Sequence, residues 1–205
     1  MTASFAPQWG PPPGAPTAPE PDENGMVSIG VTLELPEPFA GQLRRVRLGF
    51  GDEAARTVPA HITVIPPMEI PVHSWPVVRE EIRRVANETS PFVIRLRGTG
   101  TFLPTSPVVF IAVARGIVEC EQLSARLRTG VLNQPLSFPY HPHVTIAQGL
   151  PEPVLDEAFE SLADFDASFM VHGFGVYFHG TSVGEDGVSG SDEEWELFDR
   201  VPFGP

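Results

Sequence analysis

The sequence predicts an α+β protein built from two similar lobes, and three observations lead to this expectation. A five-residue pattern (His, apolar, Thr, apolar, apolar) occurs twice, at His61–Ile65 and at His143–Ala147. Each copy is followed by a segment with helical periodicity, and then by one that alternates like a strand. The chain is therefore expected to be a duplicated β-α-β-α-β unit, in which a pseudo-twofold axis places antiparallel-rich sheets around a central cleft.

Lobe 1 is expected at about residues 26–104. A strand over Val27–Leu35 comes first, followed by a helix that ends at Gly49. The first pattern strand is followed by a helix for which Ser74 is a candidate N-cap, and Phe92–Phe102 closes the lobe as a strand. The apolar positions of these two helices recur three or four residues apart: Phe39, Leu43 and Val46, then Val78, Ile82 and Val85.

Lobe 2 is expected at about residues 107–205. It opens with a buried strand over Val108–Val113 and contains the second pattern strand and two further strands, Phe169–Phe178 and Trp195–Val201. Between those last two lies an acidic loop, residues 182–194, whose Gly, Ser and acidic content predicts a solvated, mobile hairpin loop. Its two helices carry apolar positions on one face: Cys120, Leu123 and Leu127, then Leu155, Phe159 and Leu162.

Residues 1–25 precede both lobes and are rich in Pro, Gly and Ala. Such a composition favours extended, solvated backbone and cannot build a core. We expect a disordered tail, with residues 26–205 folding as a single bilobal domain.

The composition predicts a cytoplasmic protein. The hydrophobic share of 41% is ordinary for a globular chain, and no apolar run reaches the roughly 18 residues of a membrane span. No basic residue precedes Arg44, so the start of the chain lacks the features of a signal peptide. The single cysteine, Cys120, agrees with a reducing compartment.

The charges exclude several kinds of function. All 13 basic residues are arginine, so a lysine nucleophile and a Walker A phosphate loop are both excluded. The net charge is −13, and residues 150–205 contain Arg200 as their only basic residue. Because such a surface repels polyanions, the chain is not expected to bind nucleic acid nonspecifically.

The two pattern strands carry the candidate chemistry. Side chains alternate between the two faces of a strand, so the His and the Thr of each copy share the face opposite its apolar residues. Duplicated lobes usually let surface residues drift, and the retention of both polar members favours a functional role over hydrogen bonding within each lobe. Two such strands brought together would surround one small anion. The candidates are His61 and His143 as acid/base groups, and Thr63 and Thr145 as phosphate-binding donors.

The pair of patterns resembles the 2H phosphoesterase superfamily, and within it the bacterial 2′-5′ RNA ligase or RNA 2′,3′-cyclic phosphodiesterase group. The likeness is carried by Pro59–Pro67 and Phe138–Ala147 and extends over about residues 26–180. It implies metal-independent attack on a cyclic or 2′-5′ phosphodiester, without a cofactor. It also implies that His143 acts as base toward water and His61 as acid toward the leaving 2′-oxygen. Reversal of these roles would give 2′-5′ ligation.

The acidic second lobe favours a small cyclic nucleotide or a short RNA end as substrate, and we expect a monomer. Further candidates for the cleft are Tyr140, Phe102 and Arg97. His141 forms a His-x-His pair with His143, which is also a metal-ligand spacing. No Cys or convincing His/Asp/Glu set completes a metal shell, so we expect His141 to orient His143.

Two alternatives stay open at this point. One is a noncatalytic nucleotide- or phosphate-binding module that retains the same pocket, and the other is a His-based metalloenzyme. His73, His172 and His179 are expected to be ordinary surface or core histidines.

Overall fold

The structure, a computed structural model, describes residues 8–14, 18–183 and 189–205. Within these ranges the chain forms eight strands and four α-helices. In chain order they are β1 (Met26–Glu34), α1 (Phe39–Gly49), β2 (His61–Pro71), α2 (Trp75–Asn87), β3 (Phe92–Thr101), β4 (Val108–Arg115), α3 (Ile117–Leu127), β5 (His143–Gln148), α4 (Glu152–Ser161), β6 (Asp166–Val171), β7 (Gly173–Val183) and β8 (Ser189–Pro202).

The strands form two four-stranded sheets in which every neighbouring pair is antiparallel. The first sheet has the order β2-β1-β7-β8 and the second has the order β5-β4-β3-β6. Both pattern strands, β2 and β5, therefore occupy an edge at the equivalent place in their sheets. The predicted α+β class with antiparallel sheets is confirmed.

The sheets differ from the predicted lobes, because strands cross the expected boundary near residues 104–107. β3 comes from the first half of the chain but pairs with β4 and β6 of the second half, whereas β7 pairs with β1 and carries β8 on its other side. The connection between β3 and β4 is short, and short connections place consecutive strands side by side. The strand expected over Phe169–Phe178 is likewise two strands in different sheets, separated by His172.

The apolar residues of both patterns lie in one continuous core. Ile62, Val64, Val144 and Ile146 are all 0% exposed. Because the pleat alternates, the His and Thr side chains of both strands point away from this core, and all four are half-buried. The faces predicted for the two patterns are therefore those observed.

The residues before Met26 depart from the expectation of a solvated tail where the structure describes them. The backbones of Gly10 and Arg200 exchange two hydrogen bonds, of 2.8 and 3.2 Å, and Pro19 is buried. β8 is an edge strand with unpaired backbone groups, which an extended segment can satisfy. Residues 1–7 and 15–17 lie outside the described ranges.

The predicted acidic loop is shorter than expected, because β7 runs to Val183 and β8 begins at Ser189. Residues 184–188, the centre of that loop, lie outside the described ranges. Among the described residues, none of the helices is long and apolar enough to cross a membrane.

Candidate active site

The two pattern strands come together along their edges. β2 contacts β5, and the Tyr140 hydroxyl, just before β5, donates a 2.8 Å hydrogen bond to the backbone carbonyl of Thr63 on β2. Burial raises the pKa of Tyr140, so the phenol stays protonated as a donor. This bond ties together the segments that carry the two candidate catalytic histidines. We use "the cleft" for the space bordered by the polar faces of the two sheets at this junction.

The two histidines are held in the same way. Nδ1 of His61 lies 2.7 Å from the carbonyl oxygen of Pro59, and Nδ1 of His143 lies 2.7 Å from the carbonyl oxygen of His141. A carbonyl oxygen only accepts, so each Nδ1 carries a proton and donates it. In the neutral ring, Nε2 is then left with a lone pair for proton transfer. It is thus the backbone of His141 that orients His143, whereas the ring of His141 stacks 6.3 Å away.

Burial lowers the pKa of both imidazoles. For His61 burial is the largest cause, and positive charge on Arg47, His143 and His179 adds to it, so that the pKa falls to about 4. Burial also lowers the pKa of His143, and positive charge on His141 lowers it further. Both rings are therefore mainly neutral at pH 7 in the free protein.

The hydroxyls of the two predicted threonines have no hydrogen-bond partner among the residues that the structure describes. Thr63 lies opposite Thr32 on β1, and Thr145 lies opposite Phe110 on β4. The alternative in which His and Thr bond to each other within each lobe is not what the structure contains.

Of the other predicted cleft residues, Phe102 packs against His143, whereas no contact of Arg97 with the site residues is seen among the described residues. The Phe102 ring meets the His143 ring edge-on at 5.0 Å, and Phe110 packs on the same imidazole at 5.2 Å. Arg97 lies on β3, two strands from β5, in register with Asp166 of β6. Among the described residues it makes no hydrogen bond or ion pair.

Sequence reasoning missed the residues that surround His61. The Trp195 ring lies 4.7 Å from the His61 ring and 4.2 Å from the His179 ring. Glu34, in register with His61 on β1, accepts hydrogen bonds from the Tyr177 hydroxyl and from Nε (2.6 Å) and Nη2 (3.1 Å) of Arg200. The one feature of the sequence that could have pointed to these residues is Arg200, the single basic residue of an otherwise acidic end.

Residues 35–181 match the sequence profile of a family described as the 2′-5′ RNA ligase superfamily. This range includes both pattern strands and covers more than half of the chain. The chain belongs to the 2′-5′ RNA ligase superfamily. The resemblance predicted from the paired His-x-Thr pattern is thereby confirmed.

Relatives of this superfamily member carry phosphoesterase names. One from Bacillus cytotoxicus is 34% identical over 93 residues, which is 45% of this chain and 54% of the relative. One from Oceanobacillus iheyensis is 31% identical over 124 residues, or 60% of this chain and 72% of the relative. The match thus spans little more than half the length of the Bacillus relative.

Solved structures share the fold. A Thermus thermophilus protein superposes with a TM-score of 0.61 at 21% identity, over 86% of this chain and 97% of that one. Escherichia coli LigT complexed with 3′-AMP gives a TM-score of 0.57 at 17% identity, over 88% of this chain and 99% of that one. These similarities confirm the predicted two-sheet, 2H phosphoesterase-like fold.

Proposed function

We propose that this superfamily member hydrolyses 2′,3′-cyclic phosphate ends of RNA, or related small cyclic nucleotides, without a metal ion. The observation that carries the proposal is the matched pair of imidazoles. Each donates Nδ1–H to a backbone carbonyl two residues upstream and keeps Nε2 for proton transfer. Two such groups at the junction of β2 and β5 supply the general acid and the general base that hydrolysis of a phosphodiester needs.

In the proposed reaction, water attacks phosphorus while the bond from phosphorus to the 2′-oxygen breaks. Nε2 of His143 takes a proton from the water, and Nε2 of His61 gives a proton to the leaving 2′-oxygen, so the product is a 3′-phosphate with a free 2′-hydroxyl. For 2′-5′ ligation, a 5′-hydroxyl would attack phosphorus in place of water and the bond from phosphorus to the 3′-oxygen would break instead. One imidazole would take the proton of the attacking hydroxyl and the other would protonate the leaving 3′-oxygen.

The low pKa of His61 fits the role of acid once the substrate is bound. A bound phosphate anion favours the imidazolium and raises the pKa, so binding is accompanied by proton uptake. A ring that burial drives toward the neutral form releases its proton readily to the 2′-oxygen. Thr63 and Thr145 would donate to the non-bridging oxygens, where negative charge grows in the transition state.

Hydrolysis of 2′,3′-cyclic AMP and CMP in EDTA tests the proposal, with wild type compared with His61→Ala and His143→Ala. We expect each substitution to lower kcat by about 10²–10⁴-fold, the usual contribution of a general acid or base. His172→Ala removes an exposed histidine at the β6–β7 junction and serves as the matched control. Hydrolysis that persists in both site variants would refute the proposal.

A noncatalytic nucleotide- or phosphate-binding module is the second candidate. It is favoured because few positively charged side chains are available to hold a substrate. Arg200, the single basic residue of the acidic end, is already bound to Glu34. Titration calorimetry separates the two functions, since a module binds the nucleotide without turnover. Crystals of LigT contain 3′-AMP, ATP or NADP⁺, so nucleotides are the first ligands to test.

A further inference from the structure

Trp195 connects the two edges of the first sheet. It lies on β8, at the opposite edge from β2, yet its ring centre is 4.7 Å from that of His61. The sheet must therefore curl around its polar face. The same indole meets the His179 ring at 4.2 Å with an interplanar angle of 67°. Trp195 thus stands between a candidate catalytic imidazole and a third histidine.

His179 has unused hydrogen-bonding capacity. Both of its ring nitrogens are buried, and neither has a hydrogen-bond partner in the part of the chain that the structure describes. A buried polar group without a partner is rare in native proteins and calls for an explanation, of which a bound ligand is one. The ring lies over Gly30, where a Cβ atom would come within 3.0 Å of Nε2, so a glycine is needed to make room for it.

The chemistry of these two side chains fits a nucleobase better than a phosphate. Burial lowers the pKa of His179 to about 4, so the ring is neutral at pH 7, with one donor and one acceptor nitrogen. That combination suits the edge of a heterocycle, whereas phosphate favours a cation. An indole offers a flat face on which any base can stack.

We propose that Trp195 and His179 form the nucleobase subsite of the cleft, with the base stacked on Trp195 and its edge hydrogen-bonded to His179. The inference rests on the proposed function, because it takes the ligand to be a nucleotide whose phosphate lies between His61 and His143. In such a nucleotide the base is attached next to the carbon that bears the 2′-oxygen. The base therefore lies beside the phosphate, where Trp195 contacts His61.

The aromatic residues on the other side of the cleft are less suited to this role. Phe102 and Phe110 pack around the His143 ring at 5.0 and 5.2 Å, and the Phe102 ring is nearly perpendicular to it, at 88°. No side-chain nitrogen or oxygen near them is both buried and without a partner among the described residues.

The test compares substrates with and without a base. We would measure kcat/KM for the 2′,3′-cyclic phosphates of adenosine and cytidine, and for the base-free methyl riboside 2,3-cyclic phosphate. Trp195→Ala is expected to lower kcat/KM for both nucleotides by about tenfold, in line with the usual worth of base stacking, and to leave the base-free substrate nearly unaffected. Trp195→Phe should retain most of the nucleotide activity.

His179→Phe fills the space without donor or acceptor, and His179→Asn restores both. We expect His179→Phe to change the ratio of kcat/KM for the adenosine substrate to that for the cytidine substrate. His179→Asn should bring this ratio part of the way back to the wild-type value. His172→Ala is the matched control, since this side chain is exposed at the β6–β7 junction, and it should behave as wild type.

Equal loss on the nucleotides and the base-free substrate would overturn the subsite, because it indicates a packing role for Trp195. If wild type hydrolyses none of the three compounds, the proposed function fails but the subsite is still testable by calorimetry with 2′-AMP and methyl riboside 2-phosphate. A preference for 2′-AMP that Trp195→Ala abolishes supports the subsite. No preference in wild type overturns it.

Discussion

The His61 side and the His143 side of the cleft have the same framework but different surroundings. On both sides an edge strand carries the His-x-Thr pattern, with apolar partners that are 0% exposed and a backbone carbonyl that accepts from Nδ1 at 2.7 Å. Around His61, however, stand Trp195, His179 and the Glu34 carboxylate with its two donors. Around His143 the neighbours are the rings of Phe102, Phe110 and His141.

Under the proposed function, this difference would separate what the chemistry needs twice from what the ligand needs once. Proton transfer would need an imidazole on each side of the phosphate, and the shared framework supplies one on each side. A cyclic nucleotide is asymmetric, because its base projects to one side only. The indole of Trp195 with its polar neighbours on the His61 side would fit such a ligand.

The largest expected effect is the loss of activity in the two histidine variants, and a substrate whose leaving group needs no acid distinguishes their roles. His61→Ala and His143→Ala should each lower kcat by about 10²–10⁴-fold on 2′,3′-cyclic CMP. On a phosphodiester with a p-nitrophenol leaving group, which departs without a proton, His61→Ala should recover most of its loss and His143→Ala should not.

Rescue of His143→Ala alone would mean that the acid and base roles are the reverse of those proposed. Rescue of both variants, or of neither, would show that the two sides do not divide the roles.

The threonines should behave alike on the two sides. Thr63→Ala and Thr145→Ala each remove one donor to the non-bridging oxygens, and we expect a loss in kcat of about 10²–10³-fold for each. Thr→Ser at each position keeps the hydroxyl and should restore activity to near the wild-type value. A loss that serine fails to restore would point to packing of the threonine methyl group.

Tyr140→Phe tests the connection between the sides. It removes the 2.8 Å hydrogen bond to the Thr63 carbonyl and leaves that oxygen without its donor. We expect the free energy of unfolding to fall by about 1–3 kcal/mol, measured by urea denaturation. An unchanged value would indicate that water replaces the phenol. Phe138→Ala, at an exposed side chain two residues away, is the control.

A further effect is expected on the pH dependence of stability, which does not bear on catalysis directly. The pKa values of His61 and His179 are about 4 in the folded protein, below the usual 6.5, so the unfolded chain binds more protons between these values. The free energy of unfolding should therefore fall as pH drops from about 6.5 to about 4, and this stabilisation is fully present above 6.5. His179→Phe should flatten the curve in that window, whereas His172→Phe should not.

Most of the difference between the surroundings of His61 and His143 could not be predicted from the sequence, for a physical reason. Period-two alternation is local, so Ile62 and Val64 were enough to predict which way His61 and Thr63 point. Which strands pair is decided by contacts far apart in the chain, and the transfer of β3 and β7 between sheets was not predicted. Trp195 reaches His61 only because the first sheet curls, which no spacing in the sequence reveals.

Arg97 illustrates the same limit from the other direction. It alternates with the buried Ile94 and Leu96 and is exposed, so its side chain points away from the core. Its distance from His143 depends on the order of strands in the sheet, and β4 separates β3 from β5. Local patterns thus predicted the faces of the two pattern strands, but not which further residues lie near them.

The most direct test of the account is a crystal structure with a nucleoside 3′-phosphate, the product of the proposed reaction, bound, and with the positions of the two Nε2 atoms determined. We predict that Nε2 of His61 and Nε2 of His143 both lie within about 3 Å of oxygens on the same phosphate. A phosphate held by one histidine alone, or bound away from both, would contradict the account.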